Sequence, residues 1–205
     1  MLCLESIRAT IKTGQESLTL DHTTLDYKLS DFWRWSVSDI LSNATRGRLA
    51  EFIVATATNI DVKQVRDEWG AYDLLTPDGI KIEVKSAAYL QSWEQSKLSK
   101  ISFSTKLSKP WDWKLDKRST VALRSADVYV FCLLHHLDKA TVDPLNLNQW
   151  EFYVLATEEL NNYTRSQHSI TVNSLKKLTN AVSYDKIDQE IKLKYNVTIT
   201  DKCMH

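Results

Sequence analysis

The strongest alternation of apolar and polar positions runs from Tyr72 to Ser86, where two short β-forming stretches flank Pro77-Asp78-Gly79. Proline fixes φ at the first turn position and glycine accepts a positive φ, so the segment predicts a hairpin with a three-residue loop. If Thr76 and Ile80 pair across that loop, Asp73 and Glu83 face each other, each three residues from its end of the turn. Lys85 then shares their face, while Leu74, Ile80, Ile82 and Val84 point the other way and can be buried.

Two apolar runs downstream read as further strands. Ala126 to Leu134 is continuous enough to be covered on both faces, with Asp127 as a structural cap, and Trp150 to Ala156 follows it. Helical spacing runs from Lys28 to Ser42 through Leu29, Phe32, Trp33, Val37, Ile40 and Leu41, with Ser30 or Asp31 as the N-cap. Trp33 and Trp35 are assigned to packing rather than to ligand stacking. Asn43 to Thr58 reads as a second helix, Thr157 to Asn162 as a short one, and Val172 to Tyr195 as helical stretches. Leu18 to Thr24 fits a short strand, Asp61 to Trp69 the strand before the hairpin, and Lys100 to Ser104 part of an extra hairpin. These elements predict an α/β fold with a mixed central sheet flanked by helices.

Composition narrows the classes. With 205 residues, 43% hydrophobic and 25% charged, the chain has enough apolar material for one substantial core, so a single domain over 1–205 is expected. Formal net charge is zero, which excludes coating nucleic acid through bulk charge. Neither an apolar run of membrane length nor a signal-like N-terminus is present, so a cytoplasmic location without membrane attachment is expected. Cys3, Cys132 and Cys203 are odd in number and widely spaced, unlike a disulfide framework or zinc site. His135 and His136 are adjacent on a strand end, where neighbours point to opposite faces, and make a poor metal pair.

The acidic hairpin face carries the chemistry. Facing like charges destabilise a sheet, so Asp73 and Glu83 call for a cation beyond Lys85. A hard ion such as Mg²⁺, bound through one or two carboxylates and a substrate phosphate, meets that need. Asp73, nine intervening residues and Glu83-Val84-Lys85 resemble the D-x(n)-E-x-K signature of the PD-(D/E)XK, restriction-endonuclease-like nucleases; Tyr72 stands where the family name has proline. The likeness is best over 43–134, with 1–42 as an N-terminal helical extension and 135–205 supplying a strand and helices. It implies a restriction-endonuclease-like core and a Mg²⁺-dependent DNA endonuclease, with Mn²⁺ as a substitute ion. Asp73, Glu83, the Val84 carbonyl and Glu51 from the preceding helix would bind metal, and Lys85 would position the attacking water.

From Glu94 to Arg124 the chain carries eight basic residues against three acidic ones, interleaved with Trp93, Trp111 and Trp113. Phosphate contacts and base stacking make such a mixture a nucleic-acid surface. Its candidate contacts are Trp93, Lys97, Lys100, Lys106, Lys109, Lys114, Lys117 and Arg118, joined by Arg46 and Arg48 on the helix. Gln91 and Gln95 resemble glutamines that follow the E-x-K strand in the same superfamily. DNA is the expected partner, together with a homodimer and room for a partner subunit in a restriction-type or other DNA defence or processing system. Two other readings stand beside the enzyme: an inactive nuclease fold that binds nucleic acid or protein, and an acidic hairpin that is purely structural.

Overall fold

A computed structural model describes residues 7–68, 70–109, 111–112 and 117–203. In chain order the elements are β1 (Ser17–Leu20), β2 (Thr23–Lys28), α1 (Leu29–Val37), α2 (Asn43–Ala57), β3 (Leu74–Leu75), β4 (Lys81–Ala88), β5 (Ser102–Ser104), β6 (Trp111–Asp112), β7 (Lys117–Arg118), β8 (Val128–Leu134), β9 (Trp150–Ala156), α3 (Thr157–Asn161), β10 (Ser169–Thr171), α4 (Val172–Leu175) and α5 (Ile187–Cys203). The central sheet has the order β3-β4-β8-β9, with β4 and β8 parallel and both outer pairs antiparallel. It is the mixed sheet flanked by helices that the hydrophobic pattern predicts. Among the described residues no helix is long and apolar enough to cross a membrane.

Strand β8 is buried along its whole length because both faces are covered. On one face Val128, Val130, Cys132 and Leu134 join Ile82 and Val84 of β4, and Ala50, Ile53 and Val54 of α2 and Ile187 and Ile191 of α5 close over them. On the other, Tyr129, Phe131 and Leu133 meet Phe103 of β5, Tyr153 of β9, Ile170 of β10 and Leu175 of α4. Phe103 and Phe131 meet edge to face with centroids 5.2 Å apart, the arrangement that ring quadrupoles favour. Glu83 and Lys85 alternate with Ile82 and Val84 along β4, so they lie on this second face.

Several expectations give way. Residues 61–68 form turns rather than a strand: the Asp61 carboxylate accepts from Lys63 N–H at 3.0 Å, and its carbonyl accepts from Gln64 N–H at 3.4 Å. That side-chain turn outcompetes the β-preference of Val62 and Val65, which stay 43% and 46% exposed. Strand β3 is therefore a sheet edge; Trp69 lies outside the described residues. The N-terminal region is a β1–β2 hairpin followed by a helix, with positive φ at Asp21 and His22 in its two-residue turn. Helix α1 ends at Val37, before Ile40 and Leu41, and Asp31 is its third residue, where its carboxylate accepts from Lys28 N–H at 2.8 Å. None of α1 is buried; Trp33 rests against Gly14, and Trp35, 85% exposed, meets the Phe32 ring on its own helix with centroids 6.4 Å apart rather than packing into the core. Strand β5 pairs with the distant β10 instead of a local hairpin partner, because Phe103 is needed against Phe131.

The loop that carries the acidic face closes as the turn residues require. Thr76 N–H donates to Ile80 O and Ile80 N–H to Thr76 Oγ1, both at 3.0 Å, while Gly79 takes φ +82° and donates to Thr76 O at 2.9 Å. Nothing crowds a Cβ at Gly79, so its requirement is purely conformational. Gly79→Ala is expected to cost about 1–2 kcal/mol, read as a lower urea midpoint at unchanged slope.

Candidate active site

Leu74 pairs with Ile82 and Leu75 with Lys81, a register that brings Asp73 opposite Glu83. Asp73 N–H continues the ladder to Ile82 O at 3.1 Å. One step further the ladder changes character: Val84 N–H donates at 2.7 Å to Asp73 Oδ2, a side-chain oxygen where a strand would offer a carbonyl. The bond fixes the Asp73 carboxylate against β4 and ends β3. Glu83 and Lys85, two residues apart on one face, form an ion pair through Glu83 Oε1 and Lys85 Nζ. Tyr129 stands beside Glu83 in the parallel register of β4 and β8. These groups line a pocket of about 220 Å³ together with Ser104, Lys106, Ser108 and Ser125.

The electrostatics are those of crowded acids. Burial pushes the Glu83 carboxyl above its ordinary range, the Asp73 charge adds to the push, and Lys85 opposes it. Burial and then Asp73 likewise raise Glu51, against the pull of Arg66 and Lys85. The Tyr129 phenol is pushed up to about 12, by burial first and Glu83 second, with Arg124 opposing. Glu51 reaches this neighbourhood from α2 but is held by Arg66, whose Nε and Nη2 lie 2.8 and 2.7 Å from Oε2. Arg48, three residues before Glu51 on α2, approaches Glu68 at 3.5 Å.

Glu51 and Arg66 line a second cavity of about 580 Å³ between α2 and residues 60–75, and Asp73 belongs to the walls of both pockets. Among the described residues no group of three or more His, Cys, Asp or Glu side chains is placed to hold a metal ion. The trio of Asp73, Glu83 and Glu51 is thus not assembled as a set of ligands. Asp73 and Glu83 alone remain a hard oxygen pair of the kind Mg²⁺ uses, with water and phosphate completing its shell.

The residues expected to contact nucleic acid divide. Arg46 is 3% exposed and donates to Leu41 O at 2.7 Å, Asn43 Oδ1 at 2.6 Å, and Gln91 Oε1 and Ser86 Oγ at 3.3 Å. Gln91 is 5% exposed, and its N–H donates to Gln95 Oε1 at 2.7 Å. Gln95 donates in turn to Tyr89 O and Ser99 Oγ. These three residues brace the loop after β4, and the burial of Arg46 and Gln91 keeps both from a phosphate in this conformation. Trp93, Lys97, Lys100 and Lys109 are exposed, as is Lys106 at the smaller pocket. Arg124, counted with the basic segment, is buried and donates to Thr105 O at 2.8 Å, Asn161 Oδ1 at 2.5 Å and Gln167 Oε1 at 3.0 Å. Trp113 and Lys114 lie outside the described residues, as do the side chains of Trp111, Lys117 and Arg118, whose backbones form β6 and β7.

Arg66, Tyr129, Ser104, Ser108 and Ser125 are pocket residues that the sequence reading did not single out. Tyr129 carries a usable signal as a polar-tipped residue within the apolar run of β8, at the position level with Glu83. Arg66 carries none, because its partner lies fifteen residues away across an irregular segment.

The site's charge and its architecture can be separated by substitution. Asp73→Asn keeps an acceptor for Val84 N–H and removes the charge that raises Glu83 and Glu51. Raised carboxyls stabilise the fold at acid pH and lose that contribution as pH climbs through their folded pKa values. At pH 7 Asp73→Asn is therefore expected to exceed the wild type by up to about 1 kcal/mol, with the gain vanishing near about pH 4, where free carboxyls protonate. Asp73→Ala leaves Val84 N–H unpaired and is expected to fall about 1–3 kcal/mol below Asp73→Asn. Urea denaturation at both pH values measures all three proteins.

Comparison with known proteins adds an independent line. No curated protein matches the chain. The model of the family described as bacteriophage T4 endonuclease IV matches residues 12–174, a span that includes α2, the acidic hairpin, β8 and both pocket walls. Because that match covers most of the sequence, the chain belongs to the bacteriophage T4 endonuclease IV family.

Proposed function

We propose that this protein is a Mg²⁺-dependent DNA endonuclease of the PD-(D/E)XK type, hydrolysing a phosphodiester in the pocket bounded by Asp73, Glu83 and Lys85. The observation that carries the reading is the convergence of those three side chains on one hairpin face, in the D-x(n)-E-x-K order, within an endonuclease family. Asp73 and Glu83 would hold the ion, with the Val84 carbonyl as the third oxygen that the resemblance implies, and Mn²⁺ would substitute. When bound, the ion supplies Lewis-acid stabilisation of phosphate charge and acidifies water. Lys85, held beside Glu83, orients the attacking water and offsets charge developing on the phosphate. Glu51 joins the ligands only by giving up Arg66; where it does not, it adds negative potential behind Asp73.

Exposed Trp93, Lys97, Lys100 and Lys109 serve as the DNA-holding surface, with Arg48 of the neighbouring cavity contributing from α2. A homodimer, a partner subunit, a cytoplasmic location and a place in restriction or other DNA defence or processing complete the reading. An intact Asp-Glu-Lys trio disfavours the inactive module.

Incubation of the purified protein with single- and double-stranded DNA and with RNA, in Mg²⁺ and in EDTA, tests the activity. Cleavage is expected in Mg²⁺ alone and on DNA. Glu83→Gln and Lys85→Met are each expected to reduce the rate by about 10²-fold or more while unfolding midpoints stay near wild type. The rate should also fall with acidity as Glu83 takes up a proton, since ligands must be deprotonated to bind metal. Wild-type rates in both variants would defeat the assignment.

A further inference from the structure

Besides its carboxylates and Lys85, the 220 Å³ pocket is lined by hydroxyls, a phenol and an ammonium: Ser104, Lys106, Ser108, Ser125 and, beside Glu83, Tyr129. These groups are hydrogen-bond donors, in contrast to the carboxylates, and three of them lack polar partners among the described residues. Ser125 Oγ is buried without any hydrogen bond, alone in this among the described side-chain polar atoms. A buried hydroxyl left unpaired is costly and normally has a partner from protein, water or ligand. Lys106 has no carboxylate within ion-pair distance among the described residues, and the Tyr129 hydroxyl makes no hydrogen bond to a described residue although its ring is buried beside Glu83.

These donors sit on a rigid frame. The guanidinium of Arg124, adjacent to Ser125, grips Thr105 O through Nε at 3.2 Å and Nη2 at 2.8 Å. Thr105 N–H donates to His168 O at 3.0 Å, and β5 just before it is paired with β10. Thr105 lies between Ser104 and Lys106, so one buried cation fixes the stretch that carries two of these donors. Donors held in place before the ligand arrives lose little on binding and favour charge that develops during reaction.

We infer that Lys106, Ser125 and Tyr129 hold the non-bridging oxygens of the phosphodiester that enters this pocket beside Asp73 and Glu83. The inference rests on the endonuclease reading above. An ammonium and two neutral O–H donors match a singly charged phosphate, whereas the carboxylates would repel it without such a counterweight. A phenol is ordinarily protonated across the neutral range and so is available as a donor.

The test uses the whole protein and the variants Lys106→Met, Ser125→Ala and Tyr129→Phe. Single-turnover cleavage of a short DNA oligonucleotide in Mg²⁺ is measured beside its binding in Ca²⁺ across a salt series, with inorganic phosphate as competitor. Each variant is expected to lose about tenfold or more in cleavage rate, and Lys106→Met to flatten the salt slope by about 0.7 to 0.9, one phosphate contact. Ser125→Ala is expected to keep or raise its urea midpoint, since it deletes an orphaned hydroxyl, which separates ligand contact from a packing role. Cleavage rates within twofold of wild type in all three variants, with an unchanged salt slope, would overturn the inference. So would displacement of bound oligonucleotide by inorganic phosphate at equal affinity in wild type and Lys106→Met. Absence of wild-type cleavage defeats the endonuclease reading instead, and the salt slope then decides the phosphate contacts.

Discussion

One hydrogen bond, from Val84 N–H to Asp73 Oδ2, organises the acidic hairpin. It replaces a rung of the β3–β4 ladder with a side-chain contact, so the edge strand stops after two residues and residues 70–73 are free to form pocket wall. It also holds a carboxylate where electrostatics alone would expel it, across from Glu83. The register cannot relax to escape that repulsion: slipping by one residue would turn Glu83 and Lys85 into the apolar layer under α2 and bring Ile82 and Val84 out of it. Burying two charges in that layer costs far more than a facing pair of acids does. The apolar face of β4 thus enforces the charge conflict on the other.

The two buried arginines perform matching tasks on opposite sides of the sheet. Arg46 ties α2 to β4 and the loop after it, and Arg124 ties the segment after β5 to the stretch following α3. Both guanidiniums are met by carbonyls, amides and a hydroxyl, without an ion pair to a carboxylate among the described residues. Arginine tolerates this because its planar fork satisfies several neutral acceptors and stays charged when desolvated. Burial pulls both below the usual arginine range without discharging them. Arg124 consequently brings positive charge near Tyr129 that no ion pair with a described carboxylate cancels.

Much of this was legible in the sequence. Pro77-Asp78-Gly79 fixes the loop, the loop fixes the register, and the register fixes which side chains share a face. The central strands β8 and β9 were equally plain, because an apolar run of seven residues in one and of five after Glu151 in the other leave few alternatives. Residues 61–68 were misleading: two valines three apart suggested a strand, but an aspartate at the head of the segment offers its backbone a closer partner. Strands β5 and β10 pair across more than sixty residues of chain, which no local pattern encodes. Nor does residue type separate the lysines and arginines that meet solvent from Arg46 and Arg124, since that depends on which acceptors folding brings to the guanidinium.

The division of acids between the two pockets decides where a cation is needed. Glu51 is matched by Arg66, one carboxylate to one guanidinium. Across the Asp73 wall, two carboxylates, Asp73 and Glu83, share one ammonium, Lys85, which is paired with Glu83. Lys106 lines the same pocket and cannot cancel the remaining charge while it serves an incoming anion. The unmet charge is therefore local to Asp73 and Glu83, and a divalent ion there would leave the site positive enough to draw in a phosphodiester. An anionic substrate and an acidic site are compatible on these terms: the carboxylates attract the cation, and the cation with the hydroxyl and ammonium wall attracts the phosphate.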